Sequence, residues 1–125
     1  MPRFVVLLPL LAVTAACSDS STSPSPARTA TIQVSGETYR VELTTTALVD
    51  AAEAAKAGTG PRIPNGRIVT GTGVNTGWSW HIEDVQFADV TIELCDGRPS
   101  DVERDGTAFG GGRFCPWGAT VTAIE

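Results

Sequence analysis

The N-terminal segment limits what the chain can fold into. A cleaved export signal leaves fewer residues for the folded domain, and export places that domain in an oxidising compartment. Arg3 precedes an apolar run over residues 4–13, and small residues then lead to Cys17. This order is typical of a bacterial signal peptide ending in a lipobox. It predicts cleavage after residues 1–16 and diacylglycerol on Cys17. The apolar run is short of the roughly 20 residues that a membrane-spanning helix needs, and an ordinary signal peptide with plain secretion is the alternative.

A Ser- and Pro-rich tether follows the predicted lipid attachment site. It covers residues 17–30, and residues 18–27 read SDSSTSPSPA, with too few apolar groups to pack. The remaining residues, 31–125, are enough for one small domain. We therefore expect a single domain held at the cell envelope, lipid-anchored to a bacterial membrane and facing its extracytoplasmic side.

The charge balance argues against polyanionic partners. The chain carries 9 Lys and Arg against 14 Asp and Glu, a formal net charge of −5 at pH 7. Such a chain is not expected to bind nucleic acid. The acids are dense over residues 83–105, which is typical of a solvated surface, with calcium binding as the alternative. Their spacing matches no EF-hand loop, so no metal site is predicted. No cofactor is predicted, because the glycine-rich stretches lack the lysine and helix of a P-loop.

Two cysteines, Cys95 and Cys115, remain once Cys17 carries lipid. In an exported, oxidising compartment a disulfide is the expected state of such a pair. Closing a loop of about twenty residues would stabilise the fold by roughly 3 kcal/mol. The alternatives are a zinc site, which needs about four ligands, and a Cys–His nucleophile. The single histidine, His81, would have to serve either one.

Hydrophobic periodicity predicts an α+β fold. Alternating apolar residues indicate strands over 38–44, 67–72, 78–82, 87–95 and 119–124. Residues 31–34 either lead into the first strand or fold back through Ser35 and Gly36. A helix is expected over 47–57, ended by Gly58, and a second from Pro99 or Ser100, with Ser100 and Glu103 at capping-box spacing. A turn is indicated at Asn65-Gly66 and a flexible connection over 73–77.

This order of elements is β-α-β-β-α-β. It predicts a ferredoxin-like fold, an antiparallel sheet with two helices on one face, stapled by one disulfide.

Four segments together resemble a known family. They read WSWHI over residues 78–82, VQFADV over 85–90, ELCDGRPSDVE over 93–103 and FCPW over 114–117. The combination resembles small bacterial domains similar to the N-terminal domain of an amoebal calmodulin-binding protein. The resemblance covers roughly residues 38–125 and implies the family's fold and a Cys95–Cys115 pairing, but little about activity.

Calmodulin itself is not an expected partner. Calmodulin targets are usually basic amphipathic helices. The predicted helix over 47–57 carries Asp50, Glu53 and a single basic residue, Lys56.

The aromatic residues and the histidine form the candidate binding surface. It comprises Trp78, Trp80, His81 and Trp117. Aromatic residues at strand spacing more often build a core, so core packing of the tryptophans is the alternative. Because side chains alternate along a strand, His81 is expected on the face opposite that of Trp78 and Trp80.

The function expected from these observations is a non-enzymatic envelope module that binds a protein or a glycan. Protease inhibition is a related possibility, with residues 58–67 as the reactive loop. A small hydrolase using His81 with Glu83 or Asp84 is the enzymatic alternative, although no nucleophile is identifiable and no catalytic residue is predicted. The third alternative is a structural surface lipoprotein without a specific ligand.

Overall fold

A computed structural model describes residues 27–125, so the predicted signal peptide and Cys17 lie outside the described residues. The described residues form two antiparallel three-stranded sheets, with strand orders β2-β1-β6 and β4-β3-β5. The strands are β1 (Arg28–Val34), β2 (Glu37–Leu43), β3 (Ile63–Thr70), β4 (Trp80–Ala88), β5 (Arg113–Phe114) and β6 (Thr120–Ile124). Two helices, α1 (Thr46–Ala57) and α2 (Pro99–Asp105), and three short 3-10 turns complete the fold.

The first sheet begins with a hairpin. Strands β1 and β2 pair antiparallel across Ser35 and Gly36, which adopt φ of 50° and 81°. Two consecutive positive φ values are typical of a type I′ turn, whose twist matches the flanking strands. Of the two alternatives for residues 31–34, folding back is therefore the one observed. The inward side chains of β2 are Tyr39, Val41 and Leu43, all at most 1% exposed.

Helix α1 joins the two sheets. Its N-cap Thr45 accepts a hydrogen bond from the backbone N–H of Leu48 at 3.1 Å, and Gly58 ends it with φ of 75°. The predicted helix and its end are thus confirmed. Ala52 and Ala55 are its buried residues. Because these side chains are small, α1 packs against both β6 of the first sheet and β4 of the second.

The turn predicted at Asn65-Gly66 is wrong, because β3 already begins at Ile63. Gly66 lies against Ile82 of β4, where an added Cβ atom would come within 2.8 Å of the Ile82 side chain. Asn65 is also held in place, since its Oδ1 accepts a hydrogen bond from Arg113 Nε at 2.6 Å. The glycine therefore serves a close approach between strands, and these long-range contacts override the local turn preference.

The strand predicted over 87–95 is mostly wrong. Strand β4 ends at Ala88, which pairs with Ile63, the first residue of β3. No further β3 residue is available to pair with the chain beyond Ala88, so the alternating residues that follow leave the sheet. They end in a 3-10 turn over Glu93–Cys95.

The strand order differs from the ferredoxin-like one. The α+β class and the Cys95–Cys115 disulfide are confirmed. However, the hairpin places β2 on one edge of β1, and β6 occupies the other edge. Strand β3 therefore pairs only with β4 and β5, and two sheets form instead of one sheet with both helices on one face.

An aromatic cluster joins the sheets in the core. Phe114 of β5 is 0% exposed, and its ring centroid lies 5.3 Å from that of Tyr39, 5.5 Å from Trp80 and 5.6 Å from Phe109. These edge-to-face contacts are the preferred geometry for aromatic pairs. A smaller buried group consists of Ile63 and the disulfide.

Helix α2 is fastened to both sheets by carboxylates. Glu37 of β2 accepts hydrogen bonds from the backbone N–H and hydroxyl of Ser100, both at 2.8 Å. Glu103 accepts from the N–H and hydroxyl of Ser79, at 3.0 and 2.9 Å. The predicted Ser100–Glu103 capping box is therefore wrong. Asp101 instead accepts a hydrogen bond from the backbone N–H of Arg98 at 3.0 Å, and both predicted members are engaged in the long-range contacts above.

Candidate functional site

Two of the four predicted surface residues belong largely to the interior. Trp80 is 4% exposed and packs in the aromatic cluster. Trp78 is half-buried, 6.1 Å from Trp80 between ring centroids, and its Nε1–H donates to the backbone oxygen of Thr38 at 2.8 Å. These tryptophans connect β2 with β4, so they do not form an open stacking platform.

His81 lies on the other face of β4, with both ring nitrogens engaged. Nδ1 is 2.6 Å from the backbone oxygen of Gly71, and Nε2 is 3.1 Å from Glu83 Oε1. Both partners are acceptors, so the doubly protonated imidazolium suits the site best. The hydrogen bond to Gly71 raises the pKa of His81, helped by Glu83 and opposed by burial. This arrangement holds the loop at Gly71 against β4 and leaves no ring nitrogen to take a proton from a nucleophile.

An acidic cleft lies beside His81. Its volume is about 360 Å³. Arg67 is paired with two of its carboxylates, Glu83 at 2.9 Å and Asp84 at 3.3 Å, and the hydrogen bond from His81 lowers the pKa of Glu83. The cleft is lined by Glu42, Thr44, Thr45, Leu48, Ile82, Glu83, Asp84 and Val85. Its carboxylates are thus partly neutralised by groups of the same fold.

Of the three tryptophans in the predicted binding surface, Trp117 is the exposed one. It is 39% exposed. Its backbone N–H donates to Asp96 Oδ1 at 2.8 Å, and the neighbouring Cys115 N–H donates to the backbone oxygen of Cys95 at 2.7 Å. These bonds place Trp117 beside the disulfide and the 3-10 turn that precedes it.

An apolar ridge stands out on the same part of the molecule. It consists of Val90, Ile92 and Leu94, which are 83%, 62% and 71% exposed. Between them Thr91 turns inward, and its Oγ1 atom is buried. The backbone of Ile92 is extended, with φ of −76° and ψ of 148°. The ridge therefore runs from extended backbone at Ile92 into the 3-10 turn over Glu93–Cys95, and its three apolar side chains are turned outward.

Covalent and packing contacts fix the ridge at both ends. Its N-terminal end continues from Ala88, which is paired with Ile63 in the second sheet. At the other end Leu94 directly precedes the disulfide-bonded Cys95. Leu94 also lies against Gly110, where an added Cβ atom would come within 2.6 Å of the Leu94 Cβ. The exposed side chains are thus presented on a held segment.

Sequence reasoning missed the ridge. The alternation of Val90, Ile92 and Leu94 was the available signal, and it predicted a strand with these residues on one face. Alternation states that the three side chains share a face, but it does not state whether that face is covered. The face stays uncovered because β3 begins at Ile63 and offers no residue to pair beyond Ala88. That pairing is visible only in three dimensions.

Two acids of the 96–105 region, Asp101 and Asp105, are engaged by neighbouring residues of the fold. Arg98 and Arg104 contact Asp101, whose pKa is lowered first by the Arg98 backbone N–H. Thr107 donates to Asp105 and lowers the pKa of that carboxyl. Over residues 27–125, no group of three or more His, Cys, Asp or Glu side chains is placed to hold a metal ion. No helix in the same range is long and apolar enough to cross a membrane.

A family model described as the BP-74 N-terminal domain matches residues 25–125. The matched range includes all described strands and helices, the disulfide and the apolar ridge. It confirms the resemblance to the N-terminal domain of a calmodulin-binding protein that the sequence motifs indicate. Neither a curated protein nor a solved structure matches the chain significantly.

Proposed function

The chain belongs to the BP-74 N-terminal domain family, and from this premise we propose that it is an exported, lipid-anchored module that binds a partner protein through the apolar ridge. The ridge is the single observation that carries the proposal. Burying an aliphatic side chain contributes about 1.5–3 kcal/mol relative to leaving it in water. Three such residues on one segment, 62–83% exposed, are a contiguous patch of the kind that marks interaction sites.

A protein partner suits this surface better than a glycan. Glycans are bound on exposed aromatic faces, and the strand tryptophans, Trp78 and Trp80, are half-buried and buried. Aliphatic side chains on a held segment instead fit an apolar groove of another protein. Trp117, near the same disulfide, supplies an aromatic residue of the type enriched in interface hot spots.

The surroundings of His81 argue against a role as the general base of a hydrolase. Both ring nitrogens face acceptors of the same fold, the Gly71 oxygen and Glu83. A general base needs a free nitrogen within reach of the proton that it removes. We therefore assign His81 a structural role, which holds the loop at Gly71 against β4.

The reactive-loop proposal for residues 58–67 is not retained. Residues 63–67 lie in β3, paired with both β4 and β5. A strand in the middle of a sheet cannot enter a protease cleft without losing both sets of ladder hydrogen bonds. Only residues 58–62 remain outside regular structure before β3.

Lipid anchoring rests on the sequence around Cys17. Export and acylation there would place the domain in an oxidising compartment, in keeping with the Cys95–Cys115 disulfide. A Cys17→Ser variant tests this step. We expect the wild-type chain to incorporate radiolabelled palmitate and to fractionate with membranes, and the variant to do neither. Equal labelling of both would contradict the proposal.

The binding function is tested by quantitative capture from detergent-solubilised envelopes with the tagged full-length chain. A V90S/I92S variant removes the exposed aliphatic groups. A Val69→Ser variant is the matched control, because Val69 is half-exposed on β3 and paired with His81, away from the core cluster. We expect the wild type and the control to recover the same protein and the V90S/I92S variant to lose at least about tenfold, since about 1.4 kcal/mol already gives that factor. Equal recovery by all three, with unchanged circular dichroism, would refute the proposal.

A further inference from the structure

Negative charges surround the apolar ridge. Asp89, Glu93 and Asp96 are all exposed and alternate with or flank the ridge residues. None of the three has an ion-pair partner among residues 27–125. Asp96 accepts hydrogen bonds only from the backbone N–H groups of Gly97 and Trp117, which are neutral donors.

Among residues 27–125 no basic side chain forms an ion pair with these three carboxylates, although Arg62 directly precedes Ile63, the strand partner of Ala88. Residues 68–97 contain neither lysine nor arginine. The next basic residue along the chain, Arg98, is engaged with Asp101 at 3.4 Å, and Arg104 contacts the same carboxylate at 2.8 Å. The ridge is therefore an apolar surface flanked by three exposed carboxylates that are in no ion pair among residues 27–125.

A cavity of about 430 Å³ opens beside the ridge and shares Leu94 with it. Ala108 and Phe109 add apolar wall, and the rest of the lining consists of Asp96, Asp101, Arg104 and Asp105. Lysine and arginine bury an aliphatic stem while they keep the charged head at a polar edge. Arg104 of the chain itself lines this cavity, with its guanidinium on Asp101 at 2.8 Å, so the cavity already holds a cation.

These observations restrict the partner. A groove that covers the ridge brings its rim close to Asp89 and Glu93. Like charges across an interface cost affinity, whereas opposite charges speed association and fix the orientation of the two proteins. An acidic rim is thus disfavoured, and a basic rim is favoured.

We propose that the ridge docks into an apolar groove of an envelope protein whose rim carries lysine and arginine side chains. This inference rests on the proposed function, because it names the partner surface for the same site. It goes beyond that function in assigning a recognition role to the carboxylates around the ridge.

The test uses the capture assay with the full-length chain and charge variants. D89N/E93Q removes two charges beside the ridge. As the control, D50N/E53Q removes two exposed charges from α1, of which Glu53 pairs with Arg28 at 3.8 Å. We expect D89N/E93Q to weaken capture several-fold at low salt and to lose most of the salt dependence that the wild type shows. The control is expected to keep wild-type behaviour. Zero-length carbodiimide coupling should join Asp89, Glu93 or Asp96 to lysines of the captured protein.

The outcomes separate the two proposals. Capture that is lost in V90S/I92S but unchanged in D89N/E93Q, with no carbodiimide adduct at these carboxylates, would overturn the basic rim and leave the ridge as the binding site. Capture that is unchanged in V90S/I92S would overturn both proposals. Loss in V90S/I92S together with loss in D89N/E93Q would support both.

Discussion

Asn75 is predicted to be a polar tie between the two sheets. Its side chain is 0% exposed. Its Oδ1 accepts a hydrogen bond from the backbone N–H of Arg40 in β2 at 2.9 Å, and its Nδ2 donates to the backbone oxygen of Trp80 in β4 at 2.8 Å. Two substitutions separate the contributions of these bonds. Asn75→Ala removes both, and Asn75→Asp keeps the acceptor but replaces the donor.

The expected magnitudes follow from the two partners. A buried group that loses its hydrogen-bond partner costs about 1–3 kcal/mol. Asn75→Ala leaves both the Arg40 N–H and the Trp80 oxygen unpaired, so we expect a loss of about 3 kcal/mol in the free energy of unfolding. In Asn75→Asp a carboxylate oxygen would face the Trp80 oxygen. Burial raises the pKa of the introduced carboxyl, and keeping it ionised without a partner costs at least about 1–3 kcal/mol at neutral pH.

The two variants therefore differ in their dependence on pH. A protonated carboxyl can donate to the Trp80 oxygen as the amide does. Because the folded-state pKa lies above the unfolded value, the Asn75→Asp variant is closest to wild type below about pH 3.9. It then loses stability as the pH rises to the folded pKa. The deficit of Asn75→Ala should not change over the same range.

Urea unfolding followed by tryptophan fluorescence between about pH 4 and 8 measures this directly. The quantity to compare is the difference in unfolding free energy between each variant and the wild type at each pH. A deficit of Asn75→Asp that stays flat with pH, or an Asn75→Ala variant within about 0.5 kcal/mol of wild type, would refute the assignment of Asn75 as an inter-sheet tie.

Three further predictions concern stability. Replacing both disulfide cysteines by serine should lower the unfolding free energy by about 3 kcal/mol, since the bridge closes a separation of 20 residues; an unchanged urea midpoint would contradict this. Gly66→Ala should lower the unfolding free energy by about 1–3 kcal/mol, because its Cβ would lie 2.8 Å from Ile82. Gly118→Ala is the control and should be neutral, since an added Cβ meets open space there. Equal thermal midpoints of the two variants would argue against the close approach at Gly66. Because the pKa of His81 is raised in the folded state, its contribution to the unfolding free energy is full below the unfolded-state pKa of about 6.5 and is lost as the pH rises through the folded-state pKa. His81→Gln should flatten that part of the curve of unfolding free energy against pH. Identical curves for the variant and the wild type would rule the contribution out.

Sequence patterns correctly predicted the elements whose boundaries depend on residues nearby in the sequence. The alternation over residues 38–44 and the stop of the first helix at Gly58 are both present in the structure. Each depends on side-chain and backbone preferences within a few positions. The same preferences failed at Asn65-Gly66, where contacts with Arg113 and Ile82 decide the conformation.

The candidate site was less accessible to sequence reasoning. Asn75 lies in a stretch that reads as a flexible connection, and its role depends on bonds to Arg40 and Trp80, one of which is 35 residues away in sequence. The apolar ridge was recognised as an alternating segment, but which side of it is covered depends on where β3 begins. Trp117 remained exposed as the binding prediction requires, whereas Trp80 packs in the core.

The most direct measurement of the ridge's role is site-specific photo-crosslinking in the intact cell envelope. The full-length chain would carry Ile92→p-benzoylphenylalanine, with Val69→p-benzoylphenylalanine as the control on β3. The ridge account predicts a discrete protein adduct that requires ultraviolet light and forms from position 92 but not from position 69. The absence of an adduct at position 92, or equal adducts from both positions, would contradict the ridge as the binding surface.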